Sequence, residues 1–149
     1  MNKDFLDLAF SYAEQAYGDN EVPIGAVIVR NNEVISYGFN KKEGENSVLG
    51  HAELIAIAEA EKKLGNWRLE ECDMYVTLDP CPMCASAIKQ ARIKNVYSAL
   101  NNADFNNLSL ILEIFSTDRV NSSVNFVSNL DIERSKRILS DFFKKQRNK

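Results

Sequence analysis

The chain has 149 residues, 45% of them hydrophobic, which is enough for one hydrophobic core and too short for two ordinary domains. The formal net charge of −3 excludes an indiscriminately basic nucleic-acid binder. No apolar run approaches the roughly 18 residues of a membrane helix, and the acidic N-terminal stretch is unlike a secretory leader. We therefore predict a single cytoplasmic domain over residues 1–149.

The N-terminal part predicts a helix followed by a β-hairpin. Apolar residues recur at helical spacing between residues 5 and 16, and Gly18 ends the pattern. Residues 24–29 form a continuous apolar run, and residues 34–39 form a second β-rich run. The Asn31-Asn32 pair between the two runs indicates the hairpin turn.

A polar loop over residues 40–50 leads to the only histidine of the chain, His51. Apolar spacing over residues 51–64 predicts a second helix that ends at Gly65, with Trp67 packed against its end. A lone histidine is more often structural than a ligand. Here, however, Glu53 follows it by two residues at a helix N-terminus, and this combination favours a metal ligand beside a free carboxylate.

The third predicted strand, residues 74–78, leads into a Pro-Cys-Pro-Met-Cys motif, after which residues 85–91 continue as a helix. The i, i+3 spacing puts the thiols of Cys81 and Cys84 on one face of the opening turn. A helix N-terminus favours thiolate over thiol through its free amide groups and its dipole. The motif is therefore suited to binding a metal ion.

Together, His51, Cys81 and Cys84 predict one zinc ion per chain. Zinc prefers tetrahedral nitrogen and sulfur ligation, and three protein ligands leave one position for water. Two thiolates and a neutral imidazole balance the 2+ charge and leave a bound water acidic near neutral pH. Glu53 lies outside this ligand set and is predicted to be the catalytic acid and base. The H-x-E and P-C-x-x-C pattern resembles the signature of zinc-dependent nucleobase deaminases.

Two other interpretations of these residues stay open. A Cys-x-x-Cys pair can be a redox dithiol, and a zinc site can stabilise a binding subunit that has no chemistry of its own. The third cysteine, Cys72, lacks the spacing of a ligand and is predicted to be a small packing residue. An odd number of cysteines, two of them assigned to metal, gives no disulfide framework.

The C-terminal part predicts two more strands and two more helices. Residues 95–99 and 124–127 indicate strands, the spacing over residues 108–115 favours a helix over a buried strand, and a final amphipathic helix begins at Asp131. The basic residues of this last helix form either an RNA-binding patch or a solvated tail: Lys136, Arg137, Lys144, Lys145, Arg147 and Lys149.

The order of these elements predicts the fold class. Strand, helix and strand alternate in the second half, which implies parallel pairing with a right-handed crossover, whereas the first half contributes an antiparallel hairpin. We therefore predict an α/β protein, a three-layer α/β/α domain with a five-stranded mixed sheet. The metal site should lie at strand-to-helix turns on the carboxyl edge of the sheet, where such folds usually bind ligands.

The combined motifs resemble the cytidine deaminase-like superfamily and, within it, the bacterial tRNA wobble-adenosine deaminases of the TadA type. The similarity covers nearly the whole chain. Beyond the metal motifs it includes residues 21–27, 38–40, 66–69, 75–78 and 139–143.

The resemblance implies a cytidine deaminase-like fold and a homodimer that binds the anticodon loop of tRNA, converts an adenosine there to inosine and releases ammonia. It also implies that Asn40 hydrogen-bonds the target nucleoside and that Phe143 packs beside the RNA. Their structural alternatives are a turn cap for Asn40 and a core position for Phe143. No membrane contact and no organic cofactor are expected.

The chain differs from the pattern of this family at residues 47–50, at Asp79 and at residues 101–107, and none of these differences removes a ligand. The 101–107 segment bears on substrate identity, because the family commonly has an Asp- and Gly-rich segment there that contributes to RNA contacts. A deaminase of a free base or nucleoside, of the guanine or cytosine type, therefore stays open as an alternative.

Overall fold

A computed structural model describes residues 1–102, 108–117 and 123–148. Within these residues the chain forms the predicted helices and strands in the predicted order. The helices are α1 Lys3–Gly18, α2 Ala52–Leu64, α3 Pro82–Ala91, α4 Leu108–Ser116 and α5 Ile132–Arg147. The strands are β1 Gly25–Arg30, β2 Glu33–Phe39, β3 Cys72–Val76, β4 Asn95–Ser98 and β5 Asn125–Val127.

The strands form one five-stranded mixed sheet with the order β2-β1-β3-β4-β5. β1 is antiparallel to both of its neighbours, β2 and β3, whereas β3, β4 and β5 pair in parallel. It follows that β2, β3, β4 and β5 all run in the same direction. Their carboxyl ends therefore meet at one edge of the sheet, the edge at which ligands are usually bound in such folds.

Helices cover both faces of the sheet, which confirms the predicted three-layer α/β/α architecture. Alternate residues of β1 point to opposite faces of the sheet. Ala26 and Ile28 pack in the hydrophobic cluster with α2, α3 and α4, whereas Val27 and Val29 pack in the cluster with α1. α5 lies on the α1 side, where Arg134 is paired with Asp7 at 2.8 Å.

Cap and turn residues explain where several helices and strands begin or end. Asn31 and Asn32 have φ values of 52° and 61°, the left-handed conformation that a tight hairpin turn needs and that asparagine tolerates. Gly65 ends α2 with a φ of 64°. Asp131 caps α5 by accepting a hydrogen bond from the backbone N–H of Arg134.

Strand β3 lies two residues earlier in the chain than predicted, since it ends at Val76 and the prediction covered residues 74–78. Cys72 and Asp73 extend its start because they pair with the last residues of β1. Cys72 is fully buried, which confirms that it is a packing residue.

The end of α2 is packed differently from the prediction, which placed Trp67 against it. The Trp67 side chain is 49% exposed. Its ring instead lies against two guanidinium groups, those of Arg68 at 4.3 Å and Arg92 at 5.2 Å.

Among the described residues, no helix is both long enough and apolar enough to cross a membrane.

Candidate active site

A pocket of about 430 Å³ opens at the carboxyl edge of the sheet. It lies between the N-termini of α2 and α3 on one side and α5 on the other. Five of the six predicted site residues line it or its floor directly, and Cys84 is fully buried behind Cys81. The lining residues are Val22, Ile24, Asn40, His51, Glu53, Leu78, Asp79, Cys81, Leu100, Asn101, Asn102, Lys136, Leu139 and Phe143.

The three predicted metal ligands converge at two helix N-termini. His51 is the N-cap of α2, Cys81 is the N-cap of α3, and Cys84 follows in the first turn of α3. Their ligand atoms all lie within 4.8 Å of one another. The Nδ1 atom of His51 is 3.8 Å from the Cys81 Sγ and 3.5 Å from the Cys84 Sγ.

These separations fit a zinc ion. With Zn–S bonds of about 2.3 Å and a Zn–N bond of about 2.1 Å, tetrahedral geometry separates nitrogen from sulfur by about 3.6 Å. The two measured nitrogen-to-sulfur distances, 3.5 and 3.8 Å, bracket that value. One imidazole and two thiols are also the donor types that zinc prefers.

The two thiols have different acidities because one donates a hydrogen bond to the other. The bond from Cys84 lowers the pKa of Cys81 to about 5, with further help from the backbone N–H groups of Cys84 and Met83. The same bond raises the pKa of Cys84. Cys81 is thus held ready as a thiolate mainly by Cys84, and the amide groups at the start of α3, which the sequence indicated, contribute less.

Glu53 lies in the first turn of α2 and outside the ligand set. Its side chain is buried, with 4% of the residue exposed, and it lines the pocket. Burial raises the pKa of Glu53 to about 7. A carboxyl group with such a pKa can both take up and release a proton near neutral pH.

Asn40 is both a cap and a pocket residue. Its Oδ1 accepts a hydrogen bond of 2.9 Å from the backbone N–H of Ala52, and so it caps the start of α2. The backbone N–H of Asn40 donates to the Ile24 carbonyl, which fixes the residue beside β1. Because Oδ1 is engaged, the amide nitrogen is the group that Asn40 can offer to a ligand.

Glu21 fixes the polar loop that leads to His51. Its carboxylate accepts hydrogen bonds from the backbone N–H groups of Glu43, at 3.0 Å, and Gly44, at 2.7 Å, and the residue is buried. At the base of the loop the N–H of Lys41 donates to the Gly50 carbonyl, which joins the two ends of the loop. The loop is thereby closed on itself before the chain enters α2.

One face of α5 forms the remaining wall of the pocket. Lys136, Leu139 and Phe143 recur at i, i+3 and i+7 and all three line the pocket. Phe143 is 44% exposed, so the alternative that it is a core residue is wrong. The neighbouring Phe142 is the buried one, and it packs against Tyr17 of α1.

The basic residues of α5 do not share one surface. Lys136 lines the pocket, whereas Arg137 lines a groove between α1 and α5. Lys145 lies over the ring of Tyr17 at 5.3 Å. Lys149 lies outside the described residues, as do residues 103–107 of the atypical segment.

Asp79 and residues 100–102 also line the pocket, although no site role was predicted for them. The Asp79 carboxylate accepts a hydrogen bond of 2.5 Å from the Ser128 hydroxyl, and its backbone N–H donates to the Leu100 carbonyl. Burial raises the pKa of Asp79. A signal was available, because these residues follow the carboxyl ends of β3 and β4, where ligand sites form.

Comparisons with known proteins agree with this geometry. A family model described as MafB19-like deaminase matches residues 2–147. The chain is 39% identical over 150 residues to a tRNA-specific adenosine deaminase of Aquifex aeolicus, covering 99% of this chain and 98% of the relative.

Two solved structures illustrate the range of the similarity. One comes from a study of A-to-I editing by tRNA:A34 deaminases, with a TM-score of 0.85 and 36% identity, covering 93% of this chain and 100% of that chain. The other is a guanine deaminase of Bacillus subtilis, with a TM-score of 0.66 and 31% identity, covering 100% of this chain and 96% of that chain.

Proposed function

Because the chain belongs to the MafB19-like deaminase family, we propose that it deaminates adenosine to inosine at the wobble position of tRNA. The observation that carries the proposal is the similarity to a tRNA:A34 deaminase structure over 93% of this chain. The relationship to the Aquifex aeolicus enzyme supports it over 99% of the chain. The proposal treats residues 1–149 as one catalytic domain that acts in the cytoplasm, where its tRNA substrate is found.

The proposed cofactor is one zinc ion per chain, held by His51, Cys81 and Cys84. When bound, zinc supplies an acidified water as the nucleophile. The overall reaction consumes adenosine and water and yields inosine and ammonia, so it needs no organic cofactor and no redox partner.

Glu53 performs the proton transfers in this proposal. Its carboxylate accepts a proton from the attacking water and delivers it to N1 of the adenine ring, while the water oxygen adds to C6. Glu53 then takes the proton of the new C6 hydroxyl and delivers it to the amino group on C6, which leaves as ammonia as the C6 carbonyl forms. The raised pKa of Glu53, about 7, supports both directions of transfer.

Asn40 and Phe143 are proposed to position the substrate. The free amide nitrogen of Asn40 would donate to the target nucleoside, and the half-exposed ring of Phe143 would pack against RNA at the mouth of the pocket. An adenine can reach buried Glu53 only when it is splayed out of its stack. Loop RNA presents bases in this way at lower cost than a duplex.

The proposed active form is a homodimer. Leu108 and Leu112 of α4 are one helical turn apart, and 42% and 47% of them remain exposed. Exposed apolar residues that share one helix face are typical of protein interfaces. A second copy of the chain would cover this face.

The deciding experiment is inosine detection in an anticodon stem-loop after incubation with the zinc-loaded protein. We expect inosine at the wobble adenosine and a matching release of ammonia. The same stem-loop with cytidine at that position serves as the control, and free guanine, cytidine and adenosine are tested in parallel.

A second candidate function is deamination of a free base or nucleoside, which the 31% identity to a guanine deaminase favours. Ammonia released only from the small molecules would replace the tRNA proposal with this one. Ammonia from no substrate until a second, different chain is added would instead favour a non-catalytic zinc-binding subunit.

A further inference from the structure

Lys136 is the only lysine or arginine among the residues that line the active-site pocket in the described part of the chain. We propose that its ammonium group binds a backbone phosphate next to the target nucleotide and makes the pocket selective for a nucleotide within an RNA chain over a free nucleoside. The inference rests on the proposed function and names a specificity residue for it.

Solvent exposure increases along the pocket from Glu53 to Lys136. Glu53, which must reach the base, is 4% exposed, whereas the side chain of Lys136 is exposed to solvent. A base that penetrates to Glu53 leaves its sugar and phosphates at the solvent side of the pocket. Lys136 borders the pocket on that side, one helical turn before Leu139 and two before Phe143.

Among the charged side chains that line the pocket, Lys136 is the one that attracts a phosphate. The carboxyl groups that line the pocket belong to Glu53 and Asp79, and either would repel a phosphate. Lys136 forms no ion pair with any residue of the described ranges, so its ammonium group is available. Hydrogen bonds between a cationic side chain and a phosphate are short and strong.

The neighbouring Arg137 provides a matched control. It carries the same charge on the same helix but lines the groove between α1 and α5, together with Glu14 and Asp141. Replacement of either residue by glutamine removes one positive charge and changes the net charge of the protein equally. Only the change at Lys136 alters the pocket.

The experiment compares Lys136→Gln and Arg137→Gln on an anticodon stem-loop and on the same RNA with an uncharged methylphosphonate at the phosphate next to the wobble adenosine. We expect Lys136→Gln to raise KM roughly tenfold, the size of one charged hydrogen bond, with little change in kcat. Arg137→Gln should stay within about twofold of the parent protein. The methylphosphonate should raise the KM of the parent similarly and have no further effect on Lys136→Gln.

Two results would overturn the inference while leaving the proposed function intact. One is editing of the stem-loop with equal KM values for the two variants. The other is a further rise in the KM of Lys136→Gln on the methylphosphonate RNA, whichever of the two phosphates that flank the target is replaced. A parent protein that neither binds nor edits the stem-loop would instead refute the proposed function, and the inference with it.

Discussion

Glu53 combines an ionisable side chain with burial, and these two properties oppose each other. It is nearly inaccessible to solvent, and burial opposes the ionised form of a carboxyl group. The same burial brings its pKa to about 7, so the group is poised between its two protonation states. A surface glutamate would be almost wholly ionised at neutral pH and would rarely carry a proton to donate, so the cost of burial is also the source of the proposed chemistry.

We expect Glu53→Gln to lower kcat by a factor of about 100 or more, the usual size of general acid-base effects. Glutamine has a similar shape, but its amide cannot accept and return the proton. Because Glu53 lies outside the ligand set, the variant should still contain one zinc ion per chain, which elemental analysis of the purified protein measures.

His51→Ala is the control for this substitution, since it removes a ligand and should lose both zinc and activity. A Glu53→Gln protein that retains turnover would show that another group transfers the proton. A loss of zinc together with activity would mean that Glu53 belongs to the ligand set.

At the level of elements, α2 carries His51 and Glu53, and its distance from the sheet depends on Gly38. A Cβ atom added to Gly38 would overlap the carbonyl oxygen of Ala52 and lie 2.9 Å from the backbone nitrogen of Ala56. Backbone atoms cannot rotate away as a side chain can. The helix and its two site residues would have to shift together.

Gly38→Ala should therefore lower the free energy of unfolding by about 1–3 kcal/mol, the usual cost of overpacking. Thermal or chemical unfolding measures this change. The matched substitution is Gly18→Ala at the end of α1, where an added Cβ meets nothing within 4 Å. It should be neutral or stabilise by up to about 1 kcal/mol. Equal stability of the two variants would contradict the assigned role of Gly38.

The order and type of the elements were predictable because their signals are local. Helical spacing, the Asn31-Asn32 turn, the Gly65 stop and the start of the last helix at Asp131 each depend on a few adjacent residues, and the structure confirms them. The convergence of His51 with Cys81 and Cys84 was predictable because zinc restricts the number and type of its ligands.

The walls of the pocket were harder to predict because they depend on long-range packing. The contact between Asp79 and Ser128 spans 49 positions in the chain, and no local pattern indicates it. In the same way, helical spacing could not decide which of the adjacent rings, Phe142 or Phe143, enters the core. That choice depends on where Tyr17 of α1 lies.

For the whole molecule, the exposed leucines of α4 predict self-association. Leu112→Lys should shift the protein from dimer to monomer in sedimentation velocity, because it places a charge in an apolar interface. Ile132→Lys is the control, since Ile132 is an exposed apolar residue, 37% accessible, at the start of α5. A parent protein that sediments as a monomer at all concentrations would exclude the proposed dimer.

The Glu21 carboxylate anchors only one part of the loop before His51. The backbone N–H groups of residues 43–44 bond to this carboxylate, whereas residues 45–49 are mostly accessible and form hydrogen bonds only within the loop. Insertions tend to be accepted at accessible loop tips. A longer tip would therefore add new surface to the protein while the ligand-bearing helix stays where it is.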